Sequence, residues 1–277
     1  MQVESREYKV MLDHLCFADR KRALRELWFD LQGIVQRVEF SPKKKELQKQ
    51  RLKKFDTVER RLIRFLDTPD RDFRRNDLIL RQRQVVEKEE GRLELKSTEF
   101  TLKSRHADRY YVSGRKLKEG SDQKRVGDPK FEEDIGAPYR SLFSYSLTIQ
   151  GQEKCPEQLR DAERLFPLLG DLRCDGIKCS PDTSIEIVGQ TRHHERIYKG
   201  PEFKLGEKET ATLALILWST EWKTRPTAAE LSFRYRDKSE QYSGDVALNA
   251  YLIFSASQTL DWCLPDGPTK TQFAYGE

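Results

Sequence analysis

The sequence predicts an α+β fold of about eight strands with three or four helices packed against them. Two observations carry this reading. Strand-like runs recur along the whole chain, setting charged or hydroxyl groups on one face and aromatic or aliphatic groups on the other. Two further segments, one near each end, place apolar residues at helical spacing. The strands are spread over the full length and no repeat at solenoid spacing interrupts them, so residues 1–277 read as one domain. A basic stretch (41–54) and a charged, Gly-containing stretch (106–128) read as insertions in it.

The first strand is SREYK (5–9), with Ser5, Glu7 and Lys9 on one face and Arg6 and Tyr8 on the other. In the run 19–36, Leu24, Leu27, Trp28, Leu31, Ile34 and Val35 form a helical stripe. A Thr-Pro-Asp turn then precedes a strand in which Ile79, Arg81, Arg83 and Val85 share a face. The run 92–105 sets Glu99, Thr101, Lys103 and Arg105 against Phe100 and Leu102. KFEED (130–134) puts Lys130, Glu132 and Asp134 together, and 142–150 alternates Ser144, Ser146 and Thr148 with Phe143, Tyr145 and Leu147. A helix with Pro in its first turn follows at 155–169. The remaining strands are placed at 183–192, 211–219 and 229–236, the last setting Glu230, Ser232, Arg234 and Arg236 against Leu231, Phe233 and Tyr235. A helix is expected over 244–260 and a turn-rich tail after it.

Composition narrows the function. Only 36% of residues are hydrophobic and 35% are charged, yet 14 Phe, 10 Tyr and 4 Trp argue against disorder. A net charge of +5 from 51 cations and 46 anions describes a mixed surface and argues against a general nucleic-acid binder. The sequence shows neither a membrane-length apolar stretch nor a signal-peptide core, so a cytoplasmic location is expected. Five cysteines without a CxxC pair suggest free thiols; Cys174 and Cys179 are the pair close enough in sequence to bond. No P-loop or Ser-His-Asp signature is present, and His193 and His194, being adjacent, face opposite ways on a strand.

The polar faces admit two architectures: an open sheet with its polar face in water, or a closed barrel with a wet lumen. Charge segregation separates them in part. Cations gather on two strands (Arg81, Arg83; Lys103, Arg105) and carboxylates on others (Glu7; Glu132, Asp134; Glu230). Two like charges about 5 Å apart repel by roughly 3 kcal/mol at an effective dielectric near 20. An anion between them removes that cost, and a polyphosphate supplies several charges in a line. The carboxylates suit a hard divalent cation with oxygen ligands.

In the same order along the chain, these stretches resemble the CYTH family, the triphosphate tunnel metalloenzymes. SREYK is similar to the family's Glu-x-Glu-x-Lys strand, with Ser5 in place of the first Glu. LDTPDRDFRRNDLILRQR resembles its Asp-Thr-Pro turn and Leu-x-Arg-x-Arg strand, and FTLK, ending at Lys103, its Leu-Thr-Leu-Lys strand; Lys96 is an alternative match, on the opposite face from Lys103 unless a bulge intervenes. KFEED resembles the acidic middle strand, and AELSF the late Glu-x-Glu strand, with Glu230 kept and Ser232 replacing the second Glu.

The resemblance implies a closed, eight-stranded antiparallel β-barrel, a tunnel with a polar interior and helices outside. It implies a divalent-metal-dependent phosphohydrolase acting on a triphosphate: inorganic triphosphate, a nucleoside triphosphate or thiamine triphosphate. Lys9, Arg81, Arg83 and Lys103 would be catalytic and bind phosphate, joined by Arg105 and by one of Arg192 and Arg196, with Lys270 closing one end. Glu7, Glu132, Asp134 and Glu230 would hold Mg²⁺ or Mn²⁺. The two serines, and a missing carboxylate in LALILW, thin the acidic wall. That opens a second class of function, a non-catalytic module binding a nucleotide or polyphosphate.

Overall fold

Nine strands close into a ring whose polar side chains turn inward. The structure is a computed structural model, which describes all residues except 42–44, 90–91, 122–125, 152–153, 175 and 237–239. The expected insertions at 41–54 and 106–128 therefore fall partly outside the described residues. The barrel strands are β1 (Ser5–Leu12), β2 (Thr57–Asp67), β3 (Leu78–Glu89), β4 (Arg92–His106), β5 (Lys130–Gly136), β6 (Arg140–Gln150), β7 (His193–Lys199), β8 (Thr210–Ser219) and β9 (Ala228–Arg236). Around the ring they run β7-β8-β9-β1-β5-β6-β4-β3-β2, and β2 pairs with β7 to close it.

This corrects the expected eight-stranded antiparallel barrel. A ring of strands that alternate in direction needs an even number, so nine force a parallel pair; here it is β1 with β5. The extra strand is β2, which carries no clean alternation because arginines occur on both faces: Arg60 and Arg64 on one, Arg61 on the other. The strand expected at 183–192 is also displaced. Only Glu186–Ile187 pairs there, a 3-10 turn follows at Val188–Gln190, and the ladder strand starts at His193.

The apolar faces point outward and are covered. Helices α1 (Arg20–Arg37) and α2 (Gly244–Ser257) bury Leu27, Trp28, Leu31, Ile253 and Phe254 against Tyr8, Val10, Leu215, Leu231 and Phe233 on the outside of β1, β8 and β9. A second cluster sets Leu80, Phe100, Leu102 and Leu147 under Leu159, Phe166 and Leu169. Each large side chain so buried contributes about 1.5–3 kcal/mol. A third cluster lies partly on the inner face. Ile63, Phe65, Ile79, Ile216 and Trp218 pack with Ala274 of the C-terminal helix α3 (Lys270–Tyr275). Part of the ring interior is therefore apolar, and α3 packs against that part.

Turn chemistry seats these elements. The buried Asp67 carboxylate accepts from the backbone N–H of Thr68 (2.8 Å), Phe73 (2.8 Å) and Arg74 (3.1 Å), so the Asp-Thr-Pro turn is held by Asp67 before β3 begins. Among the described residues no helix is long and apolar enough to cross a membrane. Cys16, Cys155 and Cys263 are free thiols, as expected, whereas Cys179 is disulfide-bonded, against expectation; the Cys174 side chain lies outside the described residues.

Candidate functional site

Register brings most of the sequence-predicted residues onto one lumen wall. Ser5 stands opposite Glu132 and Glu7 opposite Asp134 across β1 and β5, while Glu7 faces Arg234 and Lys9 faces Ser232 across β1 and β9. On the neighbouring wall Arg83 is opposite Glu99, Arg81 opposite Thr101, and Ile79 opposite Lys103. Directly opposed residues share a face, so these side chains converge on the interior. Side-chain exposures of 21% for Lys9, 20% for Lys103 and 22% for Arg83 show that water reaches them there.

Asp134 is the hub. Its buried carboxylate accepts from Lys9 Nζ at 2.8 Å, from Lys103 Nζ at 3.0 Å and from Arg105. Burial acts to raise its pKa, but Lys103, Lys9 and Arg105 together hold it well below the usual carboxylate range. Crowding of cations has the reverse effect on Lys103. Burial, with Arg105 and Lys9 adding to it and Asp134 opposing, pushes Lys103 down to about 8. Glu7 pairs with Lys9 at 3.0 Å; burial opposes its ionisation, and Lys9 and Arg234 keep it ionised.

Arg81 differs from its neighbours. Arg83 pairs with Glu99 at 2.5 Å. Among the described residues the half-buried Arg81 guanidinium has no ion pair, and its Nε has no hydrogen-bond acceptor. Burial, then the like charge of Arg83, pushes it down to about 9. Glu195 and Glu99 offset part of that effect, but neither pairs with the guanidinium directly, and an anion in the lumen would.

The four expected metal ligands all reach the lumen but do not assemble. Among the described residues no group of three or more His, Cys, Asp or Glu side chains is placed to hold a metal ion. Each carboxylate is engaged instead. Glu7 and Asp134 hold cations, Glu132 accepts from Ser5 Oγ at 2.7 Å, and Glu230 pairs with Lys270 at 3.0 Å. The hydroxyl of Ser5 fits where a Glu would face Glu132 directly as a like charge. As paired, these oxygen donors do not fit a resident Mg²⁺ or Mn²⁺.

Both late arginines are corrected. Glu195 points into the lumen, so Arg196, one residue on, points out, and Arg192 is exposed in the segment before β7. The lumen groups missed from sequence are Glu195, Arg61 and Glu59. Glu195 accepts from Trp218 Nε1 at 2.9 Å and lies 3.6 Å from Arg61 and 3.8 Å from Lys270. Burial would raise it, but Lys270, Arg61 and Arg83 bring it down to about 2. Glu195 enters from β7 beside β8, whose LALILW run carries no carboxylate, but its inward phase is set by the ladder that starts at His193. His193 stacks on Trp218 at 4.4 Å inside while His194 meets Trp222 outside, as adjacent strand positions must.

No family model and no curated protein matches the chain. Solved structures similar to it include HpAC1 from Hippeastrum, described as an adenylyl cyclase candidate with a dominant triphosphatase activity. That likeness has 13% identity over 99% of this chain and 97% of that one, at a TM-score of 0.45. An adenylate cyclase candidate from Bacillus halodurans shares 14% identity over 98% and 97% of the two chains, at a TM-score of 0.39. PH1819 from Pyrococcus horikoshii shares 12% over 95% and 94%, at 0.36. At scores this low the likeness runs the length of the chain and assigns no activity to it.

Proposed function

We propose that the lumen binds the phosphate chain of a triphosphate-bearing small molecule. The observation that supports this most directly is Arg81, a half-buried guanidinium without a counter-ion beside Arg83. Two residues along a strand span about 7 Å, so Arg81 and Arg83 form one row of donors and Lys103 and Arg105 a second on the next strand. A chain of phosphoryl groups can touch both rows, where a single phosphate touches one. In the free protein Asp134 acts as the placeholder, gathering Lys9, Lys103 and Arg105. Phosphate oxygens offer those three cations the same charge-assisted hydrogen bonds and offer Arg81 a first one.

A metal-dependent phosphohydrolase acting on the same ligand is the second reading. The register that sets Glu7 opposite Asp134 beside Lys9 favours it, since phosphate binding to the cations would leave two adjacent carboxylates unpaired. The test is calorimetric titration of tripolyphosphate and ATP, run beside phosphate release with Mg²⁺, Mn²⁺ or chelator. Binding that Arg81→Ala weakens at least about tenfold, the value of one charge-assisted contact, supports the lumen site. Metal-dependent release abolished by Glu7→Gln selects the hydrolase, and binding without release selects the module. Unchanged affinity in Arg81→Ala removes both.

A further inference from the structure

The outer wall of the barrel carries a second group of cations that the lumen does not use. Register sets Arg196 of β7 directly opposite Arg60 of β2 on the outward face. Opposed Cα atoms in an antiparallel ladder lie about 4.5–5.5 Å apart, and like charges placed so repel. A third guanidinium joins them from α1. Arg20 donates to the Thr224 carbonyl at 3.3 Å and Arg196 to the Trp222 carbonyl, so both close on the loop between β8 and β9. Arg196 also lies over the Trp222 ring at 5.3 Å. Burial, then Arg20 and Arg60, hold the Arg196 guanidinium below its ordinary value.

No carboxylate answers these charges. Among the described residues Arg20, Arg60 and Arg196 have no ion pair, and the Arg60 side chain has no hydrogen-bond partner. The acidic groups nearby are turned elsewhere: Asp19 caps α1 through the Arg22 N–H, and Glu221 acts on His194. All three arginines are half-buried, which removes the screening that makes exposed like charges harmless. A guanidinium has five N–H donors in a planar fork, so the two carbonyl contacts leave most donors of the cluster free.

We propose that Arg20, Arg60 and Arg196 form a second anion site, on the outside of the barrel, that takes one phosphoryl group from inorganic phosphate or a phosphomonoester. Forked donors from three elements suit the several oxygens of a phosphoryl dianion, and its charge offsets the repulsion that the folded chain leaves standing. The site is independent of the lumen, because alternation puts Arg60 and Arg196 on the outer face of β2 and β7, and Arg20 belongs to the outer helix α1.

Calorimetric titration of inorganic phosphate and of adenosine monophosphate tests it, using the full chain with Arg81→Ala to weaken the lumen. Both ligands should bind this protein. Adding Arg60→Ala should weaken both at least about tenfold and abolish the rise in Tm that phosphate produces. Arg60→Ala removes no hydrogen bond or ion pair of the described residues, so alone it should keep or raise the Tm and leave tripolyphosphate affinity within about twofold. Equal affinities with and without Arg60, or binding of adenosine monophosphate but not of phosphate, would overturn the proposal. Arg196→Lys serves as a second variant, because it keeps the charge but loses the fork; undiminished phosphate affinity there would also overturn it.

Discussion

At the scale of single residues, charge pairing in the lumen decides what binding must do. Asp134 holds three cations, so Asp134→Asn leaves Lys9, Lys103 and Arg105 with one formal charge fewer to share. Losing one partner of a buried ion pair costs about 3–5 kcal/mol, so the free variant should melt lower while binding tripolyphosphate more tightly than wild type. Thermal melts with and without tripolyphosphate check both signs; weaker binding would make Asp134 part of the ligand site and not a placeholder. The lysine gives a pH signature. Lys103 is pushed down to about 8, so it loses its proton as the pH rises through 8, and affinity for tripolyphosphate should fall between pH 7 and 9. Proton uptake on binding at pH 8.5, read from the buffer dependence of the binding enthalpy, measures the same group. The sign for stability is opposite. Between about 8 and 10.5 the unfolded chain binds more protons at Lys103 than the folded one, so its contribution to stability grows with pH there.

Elements were legible in the sequence where a single face is buried. The α1 stripe of Leu27, Trp28, Leu31, Ile34 and Val35 is buried as its spacing predicts, and Leu27→Ala should cost about 2–5 kcal/mol in denaturant unfolding, being fully enclosed. The polar faces of β1, β3, β4 and β5 were readable for the same reason, because each has an apolar reverse packed under a helix or loop. β2 was missed because it mixes charge with aliphatic groups on both of its faces: Arg61 meets Glu195 inside, and Arg64 meets Gln82 outside. The misplacement of β7 was a phase problem. RHHER sets one arginine three residues before the acid and one a single residue after it, both on the face opposite Glu195, and only the ladder from His193 shows that Glu195, and neither arginine, faces in. The carboxylate pairings were out of reach of the sequence altogether, since they depend on which strands become neighbours around the ring.

At the scale of the whole molecule, the lumen joins a charged region to an apolar cluster, and the C-terminal segment completes that cluster. α3 is held from several directions: Tyr275 Oη donates to Asp67 at 3.1 Å, Arg74 pairs with Glu277 at 2.6 Å, and Lys270 sits 3.0 Å from Glu230. Phe273 and Ala274 pack on Trp218 and its neighbours, so removal of residues 269–277 would open that apolar cluster to water. The loss should be about 2–4 kcal/mol from apolar burial, with a red-shifted tryptophan emission from Trp218. Tripolyphosphate binding should survive, because Arg81, Arg83, Lys103 and Arg105 are seated on the β3 and β4 ladder and none of them pairs with residues 269–277. The acid limb distinguishes a seated α3 from a loosely attached one. Glu195 is depressed to about 2 with Lys270 as the largest attraction, so its contribution to stability is present above the ordinary carboxylate value and is lost as the pH falls from about 4.5 toward 2. Lys270→Met should flatten that limb, because the carboxylate then titrates closer to its unfolded value. An acid-denaturation curve that is unchanged in Lys270→Met would mean that Lys270 does not reach the lumen, and that the ring is closed by packing alone.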